Sequence, residues 1–227
     1  MEKLIENYLF KIEENEKFEE FKNLLINKNK QFNLTSILDD ESVKIKHFLD
    51  SLMGESLIKN GAKVIEVGSG GGFPSVPIKI LREDINFTLV ETTGKKCVYL
   101  NQVKEQLKFE NFEIFNERCE NLAKKIEFRE SFDYAIARAV APLNTLLEYL
   151  IPFVKVGGYV LAYKGESEEE ILKAENALKI LGGKIERVEK YNLPQNLGYR
   201  SIIITKKVEK TPLKYPRGNG KERSKPL

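Results

Sequence analysis

The sequence predicts an α/β fold: a seven-stranded sheet covered on both faces by helices, closed by an antiparallel hairpin and preceded by a helical extension. Three observations lead there. From Lys63 onward, apolar runs of strand length alternate with helical patterns. The last two strand patterns, KIERVEKYNL and YRSIIITKK, follow one another with only a short irregular loop between them. Before Lys63 the apolar residues recur at helical spacing instead. Strands alternating with helices imply a parallel sheet with crossovers on both faces, whereas two strands joined by a short loop pair antiparallel.

The elements follow in order. Leu4, Ile5, Tyr8, Leu9 and Ile12, then Phe18, Phe21 and Leu25, mark one or two amphipathic helices. NLTS (33–36) is polar punctuation, and DDESVKIKHFLDSLMGESLI opens on Asp and Ser caps before a second helical pattern. AKVIEV, NFTLVE, NFEIFN, FDYAIAR and GGYVLAYK are the first five strands. VPIKILRE, KKCVYLNQVKEQL, the shorter RCENLAKKI, and LNTLLEYLIPFV are the helices between them. ESEEEILKAENALKILG is a helix stopped by Gly182-Gly183, ahead of the final hairpin. TPLKYPRGNGKERSKPL has Pro, Gly and charge but no period, and reads as a loop or mobile tail. The divisions are 1–60 for the helical extension, 61–207 for the α/β domain and 208–227 for a basic C-terminal tail.

Composition narrows the function classes. A chain of 227 residues that is 41% hydrophobic suits one domain with a small extension. No apolar run reaches the ~18–20 residues of a membrane span, and the carboxylate-rich start lacks a signal-peptide layout, so a cytoplasmic protein is expected. Cys97 and Cys119 give neither metal spacing nor a disulfide framework and read as buried thiols. His47 is the single histidine, which excludes a multi-histidine metal centre. No metal is expected. Charge is uneven: residues 1–24 carry seven Glu against four Lys, and residues 205–227 carry eight Lys or Arg against two Glu. A basic end suits a polyanion such as RNA, or is a solvated terminus. Nothing suggests an oligomer seam, so a monomer is expected.

The stretch VIEVGSGGGFP (64–74) places a glycine-rich turn after the first strand. A dinucleotide turn requires G-x-G-x-x-G. From Gly68 the third glycine falls on Phe73, and from Gly70 it falls on Ser75. A phosphate-binding loop requires Gly-Lys-Ser/Thr, which is missing. The spacing that fits is carboxylate-x-G-x-G-x-G, formed by Glu66, Gly68, Gly70 and Gly72. It resembles the first motif of class I methyltransferases, whose Rossmann-like seven-stranded sheet has the arrangement read here and whose cofactor is S-adenosyl-L-methionine (AdoMet). That ligand has no phosphate and needs no lysine. Glycines let the backbone lie against it, and the helix entered at Pro74 offers N–H groups to a carboxylate. Glu66 is a candidate partner for the cationic end of the methionine portion. Glu91 ends the second strand, where a carboxylate can accept both ribose hydroxyls, or can serve as a helix N-terminal charge. Thr92 and Thr93 continue that loop. Arg138 ends the apolar strand AIA at the carboxyl edge, where ligands of such sheets bind, unless it serves only in a salt bridge.

Taken together the motifs resemble, nearly end to end, one family: RsmG/GidB, the bacterial guanine-N7 methyltransferases of 16S ribosomal RNA. NKNKQFNLTSI with HFLDSL, VIEVGSGGGFPSVPIKI, FDYAIARAVAPLNTLLEYLIP, GGYVLAYKG, YRSIIITKK and YPRGNGKERSKPL carry the resemblance. It implies cofactor contacts at Gly68, Phe73, Glu91, Thr92, Thr93, Cys119, Glu120 and Arg138. Cys119 stands where the family more often has Ala, Glu66 and Glu91 where Asp is frequent, and Ser75 where Gly is frequent. The implied partner is 16S rRNA or the 30S subunit. Guanine N7 has a free lone pair, so no catalytic base is required; rate would come from holding N7 in line with the methyl. Arg138, His47 and Lys164 are positioning candidates. Lys95, Lys96, Lys164, Arg200, Lys214 and Arg217 are candidates for RNA phosphates. Alternatives are a class I methyltransferase on another RNA, a small molecule or a protein, or a non-catalytic RNA-binding assembly factor; a dinucleotide oxidoreductase fails both glycine registers.

Overall fold

A computed structural model describes all residues, 1–227. The chain opens with α1 (Glu2–Glu14) and α2 (Glu16–Phe32), separated at Asn15, whose extended backbone breaks the helix and whose side chain accepts the Lys17 N–H. Left-handed Asn33 ends α2. A composite helix follows: α3 (Asp40–Ser42), a π-helical turn over Val43–Leu49, and α4 (Asp50–Leu52). The sequence pattern is helical here, as expected, but the wider π turns are not visible in it.

Then come β1 (Lys63–Val67), α5 (Ser75–Leu81), β2 (Asn86–Glu91), α6 (Gly94–Gln106), β3 (Phe112–Asn116), α7 (Cys119–Leu122), β4 (Phe132–Arg138), α8 (Leu143–Leu150) and β5 (Val154–Lys164). α9 (Glu168–Lys173) and α10 (Glu175–Leu181) are two helices broken at Ala174 where one was expected, and Gly182, in the left-handed conformation, stops the second. β6 (Gly183–Asn192) and β7 (Tyr199–Lys207) complete the sheet. The order is β3-β2-β1-β4-β5-β7-β6. β7 alone is antiparallel, inserted between β5 and β6.

Side chains alternate across this sheet. Ile65, Val67, Ala135 and Ala137 pack against α8 and α10 on one face. Val64, Tyr134 and Ile136 pack on the other, with Tyr8, Phe18, Phe21 and Phe48 of the N-terminal helices. The extension therefore completes one of the two cores. Arg138 lies two residues beyond Ile136 and so projects toward it.

Residues 208–227 are not a loose tail. Arg217 forms a two-pronged ion pair with fully buried Glu148, at 2.9 and 2.7 Å. Arg129 donates to the carbonyls of Thr211 and Tyr215 at 2.9 Å each, and Thr145 Oγ1 donates to Glu222 O at 2.8 Å. The short α11 (Lys221–Ser224) is docked by these bonds. The segment lacks a hydrophobic period because polar side chains of the body hold its backbone. No helix is long and apolar enough to cross a membrane.

Candidate active site

The carboxyl ends of β1, β2 and β4 carry the site. Gly68 and Gly70 adopt φ of +73° and +53°, where other residues are strained. A Cβ on Gly68 would sit 2.7 Å from Val140 Cγ2, so only a bare backbone fits beneath that side chain. A Cβ on Gly70 would meet nothing closer than 3.9 Å, which leaves open space above the turn. Gly72 is a packing glycine: a Cβ there would lie 2.6 Å from Val76 Cγ2.

Glu91 is tied to this turn. Its Oε2 accepts the Gly70 N–H at 3.0 Å and its Oε1 accepts the Thr93 N–H at 2.8 Å. The Thr92 hydroxyl makes only a long contact to Oε1, at 3.5 Å, and each carboxylate oxygen has a second acceptor site, so a ligand diol that displaces that contact can be received. A cleft of about 260 Å³ adjoins it, walled by Val67, Val90, Cys119, Val140 and Tyr149, with Thr92, Arg118, Glu120 and Arg223 at its polar margin. The Cys119 thiol lies 3.3 Å from Glu120 Oε2, and burial beside that carboxylate raises its pKa, keeping it a protonated wall. Apolar walls with Glu117 and Glu120 at the margin suit a nucleoside. AdoMet therefore fits: Gly68 and Gly70 would let it approach, Glu91 would take the ribose diol, and Cys119 and Glu120 would flank the base.

Two expected contacts stand elsewhere. Glu66 is fully buried under the turn, with Oε2 accepting the Ser75 N–H at 3.3 Å and Oε1 unpartnered. Burial pushes its pKa up to about 8, so near neutrality it is uncharged and offers no counter-charge to an ammonium group. The Phe73 ring turns away from the nucleoside cleft and stacks on His47, with centroids 4.3 Å apart at 14°. It anchors the turn to the extension, which alternation within the turn alone could not reveal.

A second cleft, of about 350 Å³, lies on the β4–β5 side, lined among others by Lys46, His47, Asp50, Arg138, Lys164 and Arg200. Arg138 organises it. Its Nη1 donates to Asp50 Oδ2 at 2.8 Å and to Lys46 O at 3.0 Å, and its Nη2 lies 3.2 Å from His47 Nδ1. The guanidinium also lies over the Phe73 ring, at 5.1 Å. Asp50 is buried and receives the Tyr191 hydroxyl at 2.9 Å, with Arg200 Nε 3.7 Å away. The salt-bridge reading of Arg138 is met by Asp50, and the residue lines this second cleft rather than the nucleoside cleft. Lys164 lines the cleft, but its ammonium is bonded to Ala141 O and Glu170, each at 2.6 Å.

Of the remaining basic candidates, Lys95 is exposed and Lys96 half-buried in the first turn of α6. Lys214 is exposed over the Tyr215 ring. Arg217, expected on RNA, is committed to Glu148. Sequence reasoning missed Asp50, Lys46, Thr35 and the cleft walls Val140 and Tyr149. Asp50 had a signal: it is a carboxylate inside the apolar stretch HFLDSL. The others look like ordinary loop or core residues.

A mixed sheet in this order, with a glycine cradle at β1 and a carboxylate ending β2, defines a class I S-adenosylmethionine-dependent methyltransferase. Solved structures share the fold. A SAM dependent methyltransferase from Aquifex aeolicus superposes with a TM-score of 0.56 at 18% identity, covering 81% of this chain and 98% of that one. The ribosomal protein L11 methylase from Lactobacillus delbrueckii subsp. bulgaricus gives 0.54 at 14%, covering 71% and 79%. The family model GidB, described as rRNA small subunit methyltransferase G, matches residues 14–198. Ribosomal RNA small subunit methyltransferase G of Caldanaerobacter subterraneus subsp. tengcongensis is 47% identical, over 93% of this chain and 90% of that protein. Its namesake from Acetivibrio thermocellus is 42% identical, over 95% and 89%. The chain belongs to the GidB family.

Proposed function

We propose that this methyltransferase transfers a methyl group to N7 of a specific guanine in 16S rRNA, acting as a monomer in the cytoplasm on the RNA or the 30S subunit. The observation that carries the atom, beyond the family, is that the basic cleft next to the cofactor site holds no free general base. His47 has both ring nitrogens engaged, Lys164 is ion-paired, and Asp50 is bonded to Arg138 and Tyr191. Such a cleft suits a nucleophile that needs no deprotonation, and guanine N7 has a free lone pair.

The residues present divide the work. Glu91 and the glycine turn would hold AdoMet, which when bound would supply an electrophilic methyl group. Arg138 has five N–H donors, of which three are used internally; the remaining two can orient an acceptor on the base, such as guanine O6. Arg200 and the exposed Lys95 and Lys214 suit phosphates, with the target base unstacked into the cleft.

The test is methyl transfer from radiolabelled AdoMet to small subunits from cells lacking the enzyme, beside bulk protein and transfer RNA. Borohydride and aniline then cleave at N7-methylguanine. One cleavage in the small-subunit RNA is expected. Label in transfer RNA or protein, or label without cleavage, overturns the assignment.

A further inference from the structure

The polar stretch NLTS has no part in either cleft's chemistry above, yet its threonine is two hydrogen bonds from Arg138. Thr35 Oγ1 lies 2.8 Å from His47 Nε2, and His47 Nδ1 lies 3.2 Å from Arg138 Nη2. A guanidinium can only donate, so Nδ1 is the accepting nitrogen and the ring proton sits on Nε2. That proton is donated to Thr35 Oγ1, which also accepts the Ile37 N–H at 3.0 Å.

Thr35 is itself fixed. Asn29 Oδ1, at the end of α2, accepts the N–H groups of Leu34 and Thr35 at 2.7 and 2.9 Å. The ring face is clamped by Phe73 of the cofactor turn. The charged groups nearest the imidazole are Arg138 from β4 and Lys46 from its own helix; the neighbouring Asp50 carboxylate is spent on Arg138. Burial and those two cations push the imidazole pKa down to about 3, so the ring stays neutral and the tautomer is set by its neighbours alone.

We propose that Thr35 is a positioning residue for methyl transfer: through the Nε2–H tautomer of His47 it fixes the Arg138 guanidinium and aims the two remaining donors at the incoming base. This rests on reading the basic cleft as the base site. Without an acceptor on Thr35, the Nε2–H is buried unsatisfied and the opposite tautomer becomes competitive. That tautomer points an N–H at Arg138 Nη2 and turns the guanidinium about its remaining anchors, Asp50 Oδ2 and Lys46 O, both held by Nη1. Thr35, His47 and Arg138 line no part of the nucleoside cleft, so binding of AdoMet does not depend on this chain of bonds.

His47 is the only histidine, so nitrogen-15 imidazole signals assign themselves. In the wild type, protonated Nε2 and bare Nδ1 are expected, unchanged from about pH 5 to about pH 8. A ring that titrates in that window, or carries its proton on Nδ1, overturns the proposal. Thr35→Val keeps the shape and removes the acceptor; it should lower kcat about tenfold to a hundredfold, shift the ring signals, and leave the AdoMet Kd within about twofold. Thr35→Ser should restore both kcat and the signals. Wild-type kcat in Thr35→Val, or equal impairment in both variants, overturns it. A wild type that transfers no methyl to small-subunit RNA overturns the substrate reading and the positioning role together, while the ring signals still report the bond chain separately.

Discussion

Glu66 and Gly70 show how single residues of the turn divide between stability and binding. With a folded pKa near 8 against an ordinary value of 4.5, Glu66 is protonated in the folded chain where the unfolded chain has lost the proton. The folded state therefore binds more protons between about pH 4.5 and about pH 8, and stability falls as pH rises across that window. Glu66→Gln keeps an acceptor for Ser75 and removes the ionisation. It should be more stable than wild type at about pH 8.5 by on the order of a few kcal/mol, with the gap closing near pH 5. Urea unfolding at the two pH values checks this; a gap independent of pH refutes it. Gly70→Ala should cost about 1 kcal/mol in folding through its positive φ and weaken AdoMet at least about tenfold by filling the space above the turn. Gly61→Ala is the control, with φ of +67° and nothing within 4 Å of the new Cβ; it should show the folding cost and no change in AdoMet titration calorimetry. The cradle was legible in the sequence because spacing and strand-end position are local. The partners of Arg138 were not, because they are Asp50 and His47, about ninety residues earlier in the chain.

At the scale of elements, the seven strands were legible because each carries β-branched or aromatic residues between breakers, even though β3 buries only Phe112 and β6 only Tyr191. The C-terminal segment was misread for the converse reason: its order comes from Glu148 and Thr145 of α8 and from Arg129 in the α7–β4 connection, which carry no signal in the segment itself. Arg217→Met tests that account. It leaves the Glu148 carboxylate, fully buried, without its cation, and removing one partner of a buried pair costs about 3–5 kcal/mol. The pair is partly open on the arginine side, with 22% of that side chain exposed, so the lower end of that range is expected. Thermal melting should fall accordingly, and limited proteolysis should cut between residues 208 and 227. AdoMet affinity should fall with it, because Arg223 of the same segment borders the nucleoside cleft. Lys214→Ala, at an exposed site, should stay within about 0.5 kcal/mol of wild type. Equal protease resistance in Arg217→Met and wild type would refute the docking.

At the scale of the whole molecule, the N-terminal extension and one face of the sheet share a single hydrophobic core. Phe21 of α2 packs on Phe48 of the π turn and on Phe73 of the cofactor turn, at 5.6 and 5.4 Å, and Phe18 meets Phe48 at 5.3 Å. The same core continues through Tyr99 and Leu100 of α6 to Val64 and Ile136 of the sheet. Deleting residues 1–32 would uncover this aromatic face, and each large side chain exposed forfeits about 1.5–3 kcal/mol. Several such losses match the roughly 5–15 kcal/mol that holds a typical domain together. The extension therefore cannot act as a detachable substrate arm: losing it loosens Phe73 and the glycine turn, and removes Thr35's support at Asn29. The full chain should unfold in one transition, with coincident curves from far-ultraviolet circular dichroism and tyrosine fluorescence. The chain lacking residues 1–32 should give no cooperative melt and no AdoMet binding. A sharp melt with intact AdoMet binding in the shortened chain would show that the sheet is self-sufficient and that the two cores fold apart.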